Sequence, residues 1–183
     1  MSYITGKLRK IDEELEKGSP AGRLSHNQRA TLATDGSVTS LLEALVEKTV
    51  GVRCVRQEHI VSGRIDESYR RALKIDENEV LNEREVLLAA GDRELIYALS
   101  YAVISRLDEG FKDDVTSTDI PIGRIIKKHK IECRREILDM GVVDGKSSVE
   151  YISKFGSKVP YRKYVIIHMG LPIIHITEYL GKF

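Results

Sequence analysis

Apolar residues recur at helical spacing over roughly the first fifty positions of this chain and at every second position after that. Leu8, Ile11 and Leu15 lie on one side of a helix predicted over 7–17, which stops at GSPAG, where Gly18, Pro20 and Gly22 predict a linker. A second helix is expected over 27–33 and breaks at ATDGS. Ser40, followed three residues later by Glu43, resembles a capping box opening SLLEALVEK, with Leu41, Leu42, Leu45 and Val46 as the apolar side. From Val52 the period is two. VRCVRQEHIV predicts a strand and DESYRRALK a short helix, while LNEREVLLAA and RELIYALSYAVI, joined through Gly91-Asp92, predict a long antiparallel hairpin. Thr118-Asp119 is expected to cap the helix IPIGRIIKKHK with Pro121 in its first turn, and IECRREIL follows as a strand. A loop is expected from Gly141 to Gly156, then a last hairpin of RKYVIIHM and PIIHITEYL turned at Gly170-Leu171.

Hairpin-linked strands with helices grouped at intervals predict an α+β fold on an antiparallel sheet. The 183 residues suit one domain over 1–183, with 1–50 a helical segment packed on it. Its 29 basic and 28 acidic side chains nearly cancel, leaving no excess to neutralise a phosphate backbone, so nucleic acid is not an expected partner. The longest apolar run, YVIIHMGLPIIHI, is shorter than the ~20 residues that span a bilayer, and MSYITGKLRKIDEELEK has no apolar signal core. These features predict a cytoplasmic protein without membrane contact. Cys54 and Cys133 sit in separate strand-like segments without metal-ligand spacing and are expected to be free thiols.

Alternation also places charge where apolar residues belong. Glu178 falls on the side of Ile174, Ile176 and Leu180; Arg84 goes with Val86 and Leu88; Arg135 goes with Ile131, Cys133 and Ile137. A buried carboxylate must be protonated, paired or in use, and desolvation would raise its pKa from about 4.3. One inward carboxylate and two inward guanidiniums on three strands suggest a closed pocket for a small anion. The competing explanation is a structural ion pair, with Glu178 paired to Arg84. His168 and His175 are expected to face each other across the last hairpin, but without a third ligand they make no metal site. The cationic end IIKKHK is expected to be a solvated helix terminus. No G-x-G-x-x-G after a strand, P-loop or nucleophile elbow is present.

From about Leu24 to Leu180 the ordered segments CVRQEHI, LNEREVLLAAGDRELIYALSYAVI, IPIGRIIKKHKIECRREILDMG and PYRKYVIIHMGLPIIHITEYL resemble the chorismate pyruvate-lyase family, which shares a fold with the UTRA effector-binding domains of transcription regulators. ATDGSVTSLLEAL resembles a divergent branch of that family. The resemblance implies a six-stranded antiparallel sheet covered by helices, with the ligand under flap-like helical segments and no metal or organic cofactor. It implies that Arg84 holds a ring carboxylate and that Glu178, beside Thr177, approaches the substrate hydroxyl. Main-chain contacts would fall near Cys54 and Ile122. The family's arginine in the second hairpin strand aligns with Leu99, which makes Arg135 the candidate for the second carboxylate.

The activity so implied converts chorismate to 4-hydroxybenzoate and pyruvate, with a small carboxylate substrate as the partner. The alternative is a non-catalytic UTRA-like effector-binding module. Such regulators carry a helix-turn-helix domain ahead of the sensor, and the first fifty residues here contain no basic recognition helix. A protein interaction module without a ligand is a third class, disfavoured by the inward charges.

Overall fold

In the computed structural model, residues 3–18, 22–117, 120–146 and 149–183 are described. Six strands form one antiparallel sheet: β1 (Gly51–Val61), β2 (Val80–Ala90), β3 (Arg93–Val103), β4 (Cys133–Asp144), β5 (Lys158–His168) and β6 (Leu171–Leu180). Their order across the sheet is β1-β2-β3-β6-β5-β4. Two three-stranded meanders meet at the β3–β6 pair, which is the centre of the sheet. The helices among the described residues are α1 (Tyr3–Gly18), α2 (His26–Ala33), α3 (Val38–Val46), α4 (Glu67–Leu73), α5 (Glu109–Ser117), α6 (Ile122–Lys128) and α7 (Glu150–Ser153). None of them is long and apolar enough to cross a membrane.

The main core lies on one face of the sheet, where Ile11 and Leu15 of α1, Leu32 of α2, Val38 and Leu42 of α3, Phe111 and Val115 of α5 and Ile125 of α6 pack against inward residues of the strands. Each helix offers a stripe at three- or four-residue spacing, and tertiary burial of that stripe holds such short helices together. On the opposite face α4 covers a smaller cluster around Leu73, Leu81 and Tyr101, and α7 places Ile152 against Leu87 and Tyr97.

Several local expectations are corrected. The capping box belongs to α2, where Ser25 and Gln28 exchange side-chain bonds with each other's backbone. At α3 the cap is Ser37, whose Oγ accepts from Ser40 N, and Glu43 instead accepts from Val50 N at 3.1 Å. Pro121 stands just before α6 rather than within its first turn. The expected cap at Thr118-Asp119 and the Ser19–Ala21 part of the expected linker lie outside the described residues. Helix α5 was not anticipated, because its charged sequence EGFKDDVTS conceals the Phe111/Val115 stripe. The 141–156 stretch is not simply a loop: β4 runs on to Asp144 and α7 follows.

The last hairpin turns at Met169-Gly170, with φ of 49° and 80°, one residue earlier than expected. These positive values at both central residues fit the right-handed twist of the flanking strands. In the observed register His168 pairs with Leu171 while His175 lies opposite Val165, so the two histidines do not face each other. His168 Nδ1 meets the Glu132 carbonyl at 2.8 Å; His175 is buried edge-on against Tyr69. The basic end of α6 is not simply solvated either: Lys128 and His129 both reach the Asp114 carboxylate, at 2.7 and 2.6 Å.

Candidate active site

Strand register assembles the site. One row across the sheet reads Cys54, Val86, Ala98, Glu178, Arg162, Met140, and the next reads Gln57, Arg84, Ser100, Ile176, Tyr164, Ile137. Residues directly opposite share a face, so these rows put Arg84, Glu178, Arg162 and Tyr164 on the core side together. The central strand β3 contributes small side chains here, Ala98 and Ser100, and leaves a hollow between its neighbours. The resulting pocket, together with the solvent at its open mouth, comprises about 540 Å³. Its floor and walls include Val52, Arg84, Val86, Arg135, Tyr164, Ile166, Ile176 and Glu178. Its roof is the first turn of α3 (Ser37, Val38, Thr39) and the start of α6 (Pro121, Ile122, Gly123). The two roof elements nearly touch, since a Cβ on Gly123 would lie 2.9 Å from Ser37 Oγ.

Glu178 is 3 % exposed, and both of its oxygens are engaged. Arg162 Nε donates to Oε2 at 2.7 Å and Tyr164 Oη donates to Oε1 at 2.9 Å. A carboxylate offers about four lone-pair sites, so each oxygen retains capacity to accept from a ligand. Arg162 stacks over the Tyr164 ring at 4.8 Å and gives Nη1 to the Thr34 carbonyl at 2.6 Å, while its Nη2 is buried with no partner among the described residues. Burial opposes the charge on Arg162, but Glu178 outweighs that cost and the guanidinium pKa is raised. Burial pushes the Tyr164 phenol well above its ordinary range, keeping it a neutral donor.

Arg84 is 1 % exposed; its Nη1 donates to the Ile120 carbonyl at 3.1 Å, which ties β2 to the segment leading into α6. Arg135 reaches the same pocket from β4; its Nη1 lies 3.4 Å from the Asp35 carbonyl and its buried Nε has no partner among the described residues. Glu178, Arg84, Arg135 and Ile122 therefore come together around one cavity. Cys54 shares their face but does not line it: its Sγ lies 3.9 Å from Gln57 Oε1, and Val52 is the β1 residue at the wall. The structural alternative named the wrong partner, because Glu178 is paired to Arg162 while Arg84 stands on β2 with β3 between them. Leu99 packs with the cluster on the opposite face, so an arginine there would point away from this pocket.

Arg162 and Tyr164 are the site residues that sequence reasoning missed. The available signal was the alternation Arg162, Tyr164, Ile166 along β5, the same pattern that exposed Glu178. Among the described residues no group of three His, Cys, Asp or Glu side chains is placed to hold a metal ion.

A family model described as "Chorismate pyruvate-lyase Rv2949c-like" matches residues 32–182. MJ0807 of Methanocaldococcus jannaschii, a protein provisionally named a lyase, is 32% identical over 174 residues, covering 92% of this chain and 85% of its own. Among solved structures, the effector domain of PhnF from Mycobacterium smegmatis superposes with a TM-score of 0.60 at 14% identity, covering 80% of this chain and 88% of that one. The SA0254 gene product of Staphylococcus aureus gives 0.59 at 12% identity, covering 82% and 93%. At such identities the two structures establish a shared fold.

Proposed function

Because the chain belongs to the Rv2949c-like chorismate pyruvate-lyase family, we propose that its pocket eliminates pyruvate from chorismate to give 4-hydroxybenzoate. The observation that carries this is the convergence, in one roofed cavity, of the buried Glu178 carboxylate with the Arg84 and Arg135 guanidiniums. Chorismate bears two carboxylates and a hydroxyl. A guanidinium meets a carboxylate as a two-pronged donor, so Arg84 is assigned to the ring carboxylate and Arg135 to that of the enolpyruvyl group. Glu178 is assigned to the hydroxyl, using the lone pairs that Arg162 and Tyr164 leave open.

In the reaction the ether bond to the ring carbon breaks and its electron pair departs on the enolpyruvyl oxygen. The hydrogen on the hydroxyl-bearing carbon leaves as a proton, and its bonding pair completes the aromatic ring. The enolate takes up that proton to become pyruvate, so atoms and charge balance without an oxidant or reductant. Aromatisation supplies the driving force, and the residues contribute orientation, charge stabilisation at the departing enolate and assistance to the proton transfer.

A second reading is favoured by the fold shared with the PhnF effector domain: a pocket that binds a small carboxylate and does no chemistry on it. Mixing the purified protein with excess chorismate and following 4-hydroxybenzoate by absorbance separates the two. Many equivalents of product per protein support the lyase; saturable binding with chorismate recovered intact supports the sensor.

A further inference from the structure

Arg162 does not itself line the pocket, yet it holds Glu178, which does, and the segment that leads into the roof. Its guanidinium forks, one edge meeting Glu178 at 2.7 Å and another nitrogen meeting the Thr34 carbonyl at 2.6 Å. Thr34 ends α2 and stands three residues before Ser37, the cap of the helix whose first turn roofs the pocket. The intervening segment is short and internally tied, with Gly36 N donating to Thr34 Oγ1 at 3.1 Å. Arg135 holds the next carbonyl, that of Asp35. Two strands of the sheet thus grip consecutive peptide groups at the foot of the roof.

The geometry points to Arg162 as a positioning residue that sets the Glu178 carboxylate and the α3 roof together through a single guanidinium. Its surroundings leave little freedom: the side chain has 0% exposure and lies against the Tyr164 ring, and Tyr164 holds the other Glu178 oxygen. Rotation of the Glu178 carboxylate away from the pocket would break the Nε bond and draw the guanidinium off Thr34. Conversely, lifting the roof would remove one of the two anchors that aim Arg162 at Glu178. Lysine carries the same charge on a single ammonium and cannot reproduce two divergent donors in a fixed plane. This assignment rests on the lyase reading, since it concerns how Glu178 is presented to substrate.

The test compares the parent, Arg162→Lys, Glu178→Gln and the double variant Arg162→Lys/Glu178→Gln for chorismate turnover, melting temperature and amide hydrogen exchange over residues 34–39. Arg162→Lys keeps the buried charge paired and is expected to fold. Its turnover should fall about 10²-fold, the usual penalty for a reacting group displaced by an ångström. Exchange at 34–39 should quicken, and in the Glu178→Gln background the same substitution should cost almost nothing further, because its effect passes through Glu178. A folded Arg162→Lys with parent turnover, an equal loss in both backgrounds, or unchanged exchange at 34–39 overturns the positioning role and leaves the lyase reading standing. A parent inert toward chorismate overturns the lyase reading, and this assignment with it.

Discussion

Replacing Glu178 by glutamine removes a charge from a pair in which Arg162 has no exposed surface and Glu178 almost none. Breaking such a pair from one side strands the other charge, at a cost of about 3–5 kcal/mol. Glutamine keeps one oxygen that can still accept from Arg162 Nε, so the lower end of that range is expected. For a chain of this length each kcal/mol lowers the melting temperature by about 2–4 °C, which predicts a fall of roughly 6–12 °C. Turnover per folded molecule should drop about 10²–10⁴-fold, the usual contribution of a positioned acid or base. Calorimetric melting and chorismate turnover on the same preparations measure both quantities. The double variant Glu178→Gln/Arg162→Met then separates them. Removing both charges relieves the stranded guanidinium, so the melting temperature should recover most of its loss while turnover does not. A single variant that melts like the parent refutes the ion-pair argument, and a rate unchanged in the folded single variant removes Glu178 from the chemistry.

Arg84→Ala should lose most activity through substrate binding, by about 2–5 kcal/mol, and Arg84→Lys should also be poor because an ammonium lacks the planar fork; a folded Arg84→Ala with parent steady-state constants would void the carboxylate assignment. Arg135→Ala should chiefly raise the Michaelis constant, and a drop in stability without a kinetic effect would mark Arg135 as scaffold. His175 gives a pH test: burial, with Lys163 adding to it, pushes its pKa down to about 4 from 6.5, so the unfolded chain takes up a proton in that window while the folded one does not. Stability should therefore be complete above pH 6.5 and decline by up to about 3 kcal/mol as the pH falls to about 4. His175→Phe, which preserves the edge contact with Tyr69, should flatten that decline; parallel melting curves for the two proteins would contradict it.

Glu178 and Arg84 were legible because β2 and β6 flank the central strand, where strict alternation leaves a charged residue conspicuous in an apolar row. Arg162 escaped because it opens its apolar stretch beside Lys163, and two adjacent basic residues resemble the solvated start of a strand. Only the register reveals that Arg162 faces Glu178 while Lys163 faces the other side, over Tyr69. The histidine pairing failed on register: even a Gly170-Leu171 turn would set His168 opposite Ile173, and the observed turn together with the shift between Ile166 and Ile167 sets His175 opposite Val165. Leu99 failed similarly, since aligning short motifs fixes neighbours in sequence but not the face of the sheet. The roof was legible as helices yet not as a roof, because what brings Ser37 near Gly123 is the packing of α3 and α6 on a shared core.

The most direct test of the central claim is a proton NMR time course of purified, chelator-treated protein with excess chorismate. The account predicts that 4-hydroxybenzoate and pyruvate appear in equal amounts, many equivalents per protein, at a rate that the chelator leaves unchanged and that Glu178→Gln nearly abolishes. Chorismate that persists at the rate of a protein-free control, or turnover that the chelator stops and added zinc or magnesium restores, would contradict it.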